Sequence, residues 1–249
     1  MTLTFLHIEQ TDSTNAYLQR LQAETDIRGY VVSACRQTAG KGMGSNTWES
    51  EEGKNLTFSI ALGFSFLPAS HQFYISKMVP VAIIKALEET VPEKRFEIKW
   101  PNDIYCEGHK IGGILINSTI RESRMDVAII GIGLNVNQTH FRDWPTRPAS
   151  LSGLTGRHYE LQPLLENIAR NIEKDADALL TYHETSNYTQ LDQSYFGHLL
   201  RYHTWGEYEL NGIRKNLYLE GLDPFGRLLL KDKQGANFSF DVKEIRFVL

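Results

Sequence analysis

Hydrophobic and polar positions change pattern most sharply between residues 96 and 116. Phe96, Ile98 and Trp100 alternate with Glu97 and Lys99, the period of a half-buried strand. Pro101 cannot donate to a sheet ladder and ends it. Asn102 and Asp103 then make a corner. Ile104–Cys106 resumes an extended pattern, Glu107-Gly108-His109 turns, and Lys110–Ile116 runs back. Gly112 and Gly113 weaken this return strand, and close approach by a ligand or another backbone is the usual reason for such glycines. Further strands are expected at Leu3–Ile8, Tyr30–Ala34 and Asn55–Leu62. Val127–Asn137 is nearly continuously apolar, as in a strand buried on both faces.

Helical periodicity marks Ala16–Gln22, with Asp12 or Ser13 as N-cap, and a long helix capped by Ser70 and running to Glu89. Leu161–Tyr182 carries an apolar stripe with Pro163 in its first turn, and a shorter helix follows at about Tyr188–Leu199. From about His203 the pattern becomes short strands separated by turns such as Asp223-Pro224-Phe225-Gly226, a small β-barrel signature. The expectation is an α+β chain: residues 1–200 form a mixed sheet flanked by helices, and residues 201–249 form a small β-barrel leaning on it.

Composition narrows the classes. An apolar fraction of 41% supports a real core, and a net charge of −4 gives no general attraction to nucleic acid or an anionic membrane. Any anion site must be local. Two cysteines are too few for a disulfide framework, and no signal peptide is visible, so a cytoplasmic location is expected. The longest apolar run is too short for a membrane span. Eight scattered histidines show no metal-ligand spacing, which argues against a structural zinc site, and no GxSxG elbow is present.

Three stretches carry candidate chemistry. The corner and return strand gather Asn102, Asp103, Lys110 and a bare backbone, which are parts for a metal–phosphate site and equally the parts of an ordinary hairpin. Asp12-Ser13-Thr14-Asn15 places more polar groups at a helix start than one cap needs; the surplus either caps or binds a polar ligand. Arg36 to Trp48 holds Gly40, Gly42 and Gly44 around Lys41, a spacing that suits a mobile loop able to wrap an anion. It is neither a Walker A loop nor a GxGxxG turn.

In order along the chain, DSTN at Asp12–Asn15, QTAGKG at Gln37–Gly42, KWPND at Lys99–Asp103, KIGGIL at Lys110–Leu115 and GIGLN at Gly131–Asn135 resemble the biotin protein ligases. The resemblance covers nearly the whole chain. It implies a class II synthetase-like catalytic domain with an SH3-like C-terminal domain, and the substrates biotin and ATP with Mg²⁺. It also implies a biotin carboxyl carrier protein as acceptor. By resemblance, Lys110, Asp103 and Lys41 are catalytic, and Asp103 helps place the metal. Ser13, Thr14, Asn15, Gln37, Gly40, Lys41, Gly42, Met43, Lys110 and Gly113 line the biotin side. Trp48, Asn102, Lys110, Gly131, Gly133, Asn135, Ala149 and Ser150 line the ATP side.

Two departures stand out. Many bacterial members carry arginines along the glycine loop, where Met43 and Asn46 stand here. The biotin motif also begins at residue 13, so a short form without a DNA-binding N-terminal domain, and no DNA binding, is expected. The oligomeric state, including a homodimer, stays open. A lipoate-type acyl-adenylate ligase and a non-catalytic carrier-binding module are the competing expectations.

Overall fold

The computed structural model describes residues 2–141 and 147–249. Residues 142–146 lie outside the described residues; they fall in residues 138–153, a Pro- and Trp-containing stretch that the sequence marks as a loop able to cover the floor left by Gly131 and Gly133. Seven strands form one sheet: β1 (Thr4–Thr11), β2 (Tyr30–Gln37), β3 (Leu56–Gly63), β4 (Phe96–Lys99), β5 (Asp103–Cys106), β6 (His109–Arg121) and β7 (Arg124–Leu134), in the order β1-β2-β3-β7-β6-β5-β4. Among the described strands of this sheet only β1 and β2 pair in parallel, and their connection contains α1 (Thr14–Gln22), because parallel neighbours need a crossover.

The alternation in β7 divides the sheet faces. Ile129 packs with Leu18 of α1 and with Val32 and Ala61. Ile130 and Ile132 point into the larger core under α2 (Phe73–Thr90) and α4 (Leu161–Glu184). That near-continuous burial is why β7 reads as apolar on both sides.

The expected cap at Ser70 is corrected. Ser70 lies in a short 3₁₀ turn, Ala69–His71, and α2 starts only at Phe73 without a side-chain cap. Ser13 does sit at the N-cap position of α1, but its side chain makes no capping bond. Two shorter α-helices also occur among the described residues: α3 (Leu151–Thr155), which begins in the last three residues of the expected loop, and α5 (Thr189–His198).

The C-terminal strands are β8 (Trp205–Leu210), β9 (Ile213–Leu222), β10 (Leu228–Lys231), β11 (Asn237–Phe240) and β12 (Arg246–Phe247). They form one antiparallel sheet ordered β11-β10-β9-β8-β12, compatible with a small SH3-like unit. Among the described residues β11 and β12 are its edges, so hydrogen bonds do not close it into the expected barrel. Its inner residues Tyr208, Leu219 and Leu230 belong to the main core. The Trp100 indole donates to the Gly226 carbonyl at 2.9 Å across the seam. Gly226 has φ +87° and lies against the Phe73 ring, so no side chain fits there. No helix among the described residues is long and apolar enough to cross a membrane.

Candidate active site

A cavity of about 420 Å³ opens where the α1 N-terminus, the end of β2, the glycine loop, the β4–β6 hairpin, β7 and the C-terminal segment meet. Ser13, Thr14, Asn15, Gln37, Lys41, Gly42, Met43, Trp48, Asn102, Asp103, Lys110, Gly113, Gly131 and Gly133 all line it. Residues more than a hundred positions apart in the chain thus line one cavity.

One wall is a neutral hydrogen-bond network. Gln37 Oε1 accepts from the Thr14 backbone N–H at 2.8 Å, so a side chain from β2 satisfies the helix start that Asp12 and Ser13 were expected to cap. Asp12 instead pairs with Arg20 at 2.8 Å, which holds its carboxyl well below the usual carboxylate range. Asn15 donates to the Leu115 carbonyl and to Asn117 Oδ1, at 3.1 and 2.8 Å. The Ser59 hydroxyl lies 2.6 Å from Asn15 Oδ1 and 2.7 Å from Thr14 Oγ1. An amide oxygen only accepts, so Ser59 gives its single proton to Asn15 and accepts from Thr14. Thr14 Oγ1 also lies 3.2 Å from Gln37 Oε1, so Gln37 is engaged through its oxygen and its amide N–H groups can serve a ligand. Asn15 lies flat on Gly131, where a Cβ would come within 2.4 Å of its Oδ1.

The opposite wall is charged. Lys110 Nζ meets Asp103 Oδ1 at 2.6 Å, and Lys99 Nζ lies 3.7 Å from Asp103 Oδ2. Strand β5 starts at Asp103, opposite Gly113 on β6, and this register brings carboxylate and lysine together. Burial pushes the Lys99 ammonium down; nearby Asp103 opposes the shift and Lys110 reinforces it. The Lys99 ammonium also sits over the Tyr105 and Phe247 rings, at 5.6 and 5.5 Å. The Tyr105 hydroxyl is buried without a hydrogen-bond partner, and burial, then Asp103, raises its pKa. Asn102 donates to the Ile114 carbonyl at 2.7 Å, leaving its amide oxygen uncommitted.

The glycine loop folds back on itself. Gly42 N–H donates to the Asn46 carbonyl at 2.8 Å, Trp48 N–H donates to the Gly40 carbonyl at 3.0 Å, and Lys41 bridges Thr47. Lys41 stays exposed. Gly40 faces a neighbouring groove rather than the main cavity. Trp48 lays its ring on Gly133, where a Cβ would meet Cε2 at 2.2 Å, and its buried Nε1 has no partner.

Asn135, Ala149 and Ser150 are held beside Lys110 but do not line this cavity. Asn135 donates to the Ala149 carbonyl at 3.1 Å, and the Ala149 N–H donates to the Lys110 carbonyl at 2.9 Å. Ser150 is fully buried and accepts from the Gly153 N–H at 3.0 Å, capping α3. Sequence patterns missed Lys99, Ser59, Tyr105 and the C-terminal pair Arg246 and Phe247, which also reach the cavity or its wall.

One cavity in this sheet thus joins a neutral hydrogen-bonding wall to a lysine–carboxylate wall, and both are lined by groups that suit a polar, anionic small molecule. Residues 7–135 match the biotin/lipoate A/B protein ligase family. The bifunctional ligase/repressor BirA of Bacillus subtilis is 32% identical over 240 residues, covering 93% of this chain and 71% of that protein. A biotin--[acetyl-CoA-carboxylase] ligase of Paracoccus denitrificans is 27% identical over 241 residues, covering 92% and 94%. The solved biotin protein ligase from Aquifex aeolicus in complex with biotin and ATP shares the fold, with a TM-score of 0.76, 24% identity and coverage of 98% and 99%. The chain belongs to the biotin/lipoate A/B protein ligase family.

Proposed function

We propose that this protein is a biotin protein ligase that activates biotin with ATP and transfers it to a lysine of a biotin carboxyl carrier protein. One observation carries the choice within the family: the neutral wall of Thr14, Asn15, Ser59 and Gln37 faces the Lys110–Asp103 pair across a single cavity. A ureido ring needs both donors and acceptors in a dry pocket, whereas a dithiolane needs neither. The full-length likeness to a named biotin ligase supports the same choice.

In the first step a biotin carboxylate oxygen attacks the α-phosphorus of ATP and pyrophosphate leaves. Two anions must approach, so positive charge has to be fixed where they meet. Lys110 is placed for that role. Its ammonium is held by Asp103 and by a rigid strand, so little reorganisation is needed. Lys99 adds a second amine on the same carboxylate. Trp48 presents an indole face and an unpaired N–H on the side proposed for the nucleotide, and Gly133 leaves room for that ring. Gly131 is covered by Asn15 and belongs with the ring-binding wall.

Mg²⁺ fits the donor set present. It is commonly bound by one or two carboxylates together with substrate phosphates, and Asp103 with the free amide oxygen of Asn102 offers oxygen ligands here. Bound there, the ion would offset phosphate charge. In the second step the acceptor lysine amine attacks the acyl carbon, a C–N bond forms and AMP leaves, so no nucleophile of the enzyme's own is required.

The test is transfer itself. The protein with ATP, Mg²⁺, biotin and a carrier domain should add one biotin mass to that domain, and none when its acceptor lysine is replaced. No mass gain, or a gain with lipoate instead, would overturn the proposal.

A further inference from the structure

The outer edge of the main sheet carries a cluster with no part in the chemistry above. His7 and Glu9 lie on edge strand β1, and Cys35 lies on β2. The parallel register pairs His7 with Ser33 and Ile8 with Ala34, which sets Glu9 opposite Cys35. Side chains two apart share a face, so an imidazole, a carboxylate and a thiol project together. Their candidate ligand atoms all lie within 4.8 Å of one another. None of the three lines the active-site cavity.

The finer geometry is that of a ligand set. His7 Nε2 is 3.3 Å from Cys35 Sγ. A tetrahedral zinc ion, with Zn–S of about 2.3 Å and Zn–N of about 2.0 Å, sets those two atoms about 3.5 Å apart. The other ring nitrogen, His7 Nδ1, is 3.0 Å from Ser33 Oγ. A metal-bound histidine usually has its second nitrogen held this way, which fixes the tautomer and aims the first. Two paired strands keep all three Cα positions fixed, so little ordering is needed on binding.

We propose that His7, Glu9 and Cys35 form a surface site for a thiophilic divalent cation, Zn²⁺ foremost, with solvent as its fourth ligand. Mixed nitrogen, oxygen and sulfur donors suit Zn²⁺, while Mg²⁺ and Ca²⁺ favour oxygen alone. Linear spacing hides the set, because Cys35 is brought to the others by strand register.

Cysteine alkylation tests it without reference to activity. Cys35 is partly exposed, whereas Cys106 is buried, so a maleimide reaches Cys35. In the full chain, stoichiometric Zn²⁺ should slow that labelling sharply and equimolar Mg²⁺ should not. His7→Ala and Glu9→Gln should each restore labelling in the presence of Zn²⁺. Ser33→Ala should weaken Zn²⁺ binding about tenfold, as loss of an outer-shell partner does. Calorimetric titration of the wild type should show one Zn²⁺ more than Cys35→Ser. Labelling that Zn²⁺ leaves unchanged, equal protection by Mg²⁺, or full protection in His7→Ala would overturn the proposal.

Discussion

Replacing Gly131 by alanine drives one methyl group into the wall proposed to bind the biotin ring. The new Cβ would lie 2.4 Å from Asn15 Oδ1, 2.8 Å from Cγ and 2.9 Å from Nδ2, overlapping the whole amide. Ordinary carbon contacts lie at about 3.5–4.0 Å, so one side must move by about 1 Å. The backbone cannot yield easily, because Gly131 is paired to Ser59 on β3 and to Leu115 on β6. Asn15 must therefore leave, giving up its bonds to Ser59, to the Leu115 carbonyl and to Asn117. Three such bonds at about 1 kcal/mol net each come to about 3 kcal/mol. For a chain of this size that lowers the melting temperature by roughly 6–12 °C. Biotin affinity should fall by about fivefold if a ligand bond of that size leaves with the amide, since 1.4 kcal/mol is one decade. Asn15→Ala alone should cost a similar stability, having lost the same bonds. Once Asn15 ends at Cβ the added methyl has room, so the double mutant should melt close to either single mutant. Thermal melts around this cycle, with calorimetric biotin titrations, measure the coupling. If Gly131→Ala melts within about one degree of wild type, or the two costs simply add, the placement of Asn15 on Gly131 is wrong.

Lys110→Ala should fold normally yet slow adenylate formation by about 3–4 kcal/mol of transition-state stabilisation, measured by single-turnover trapping; a wild-type rate would remove Lys110 from the mechanism. Lys41→Met should release biotinyl-5'-AMP faster and Met43→Arg more slowly, because lysine offers a point charge and methionine none; off-rates indistinguishable from wild type would leave the glycine loop as a backbone lid only. Lys99 is depressed below its ordinary value near 10.5, so the unfolded chain binds the proton more tightly. Wild-type stability should then rise relative to Lys99→Met as pH climbs from the depressed folded value towards the ordinary one, and urea titrations across that window check the sign. Asp103→Asn removes the main influence raising the Lys99 pKa, so NMR should show a further fall.

The hairpin from Phe96 to Ile116 was legible because alternation, a proline and a turn all act within a few residues. Its charged corner was legible for the same reason: Asp103 and Lys110 meet across one two-strand register. Features set from a distance were not. Lys99 sits on the polar side of its strand and is half-buried because Tyr105 and Phe247, the latter from the C-terminal segment, fold beside it. The cap of α1 comes from Gln37 on β2, which no local rule at Asp12 or Ser13 could supply. Strand β6 runs on to Arg121 although NSTIR carries no apolar alternation, since its partner β7 supplies the ladder. The short strands after residue 203 were each visible, but closure into a barrel depends on edge pairing that sequence does not encode locally.

The proposed function turns on one step, the joining of biotin to ATP in this cavity. Exchange of labelled pyrophosphate into ATP, with Mg²⁺ and without any carrier protein, isolates that step. Exchange should appear on adding biotin, stay at background with lipoate, and vanish in Lys110→Ala. Exchange that ignores biotin, or that lipoate supports equally well, would contradict the account.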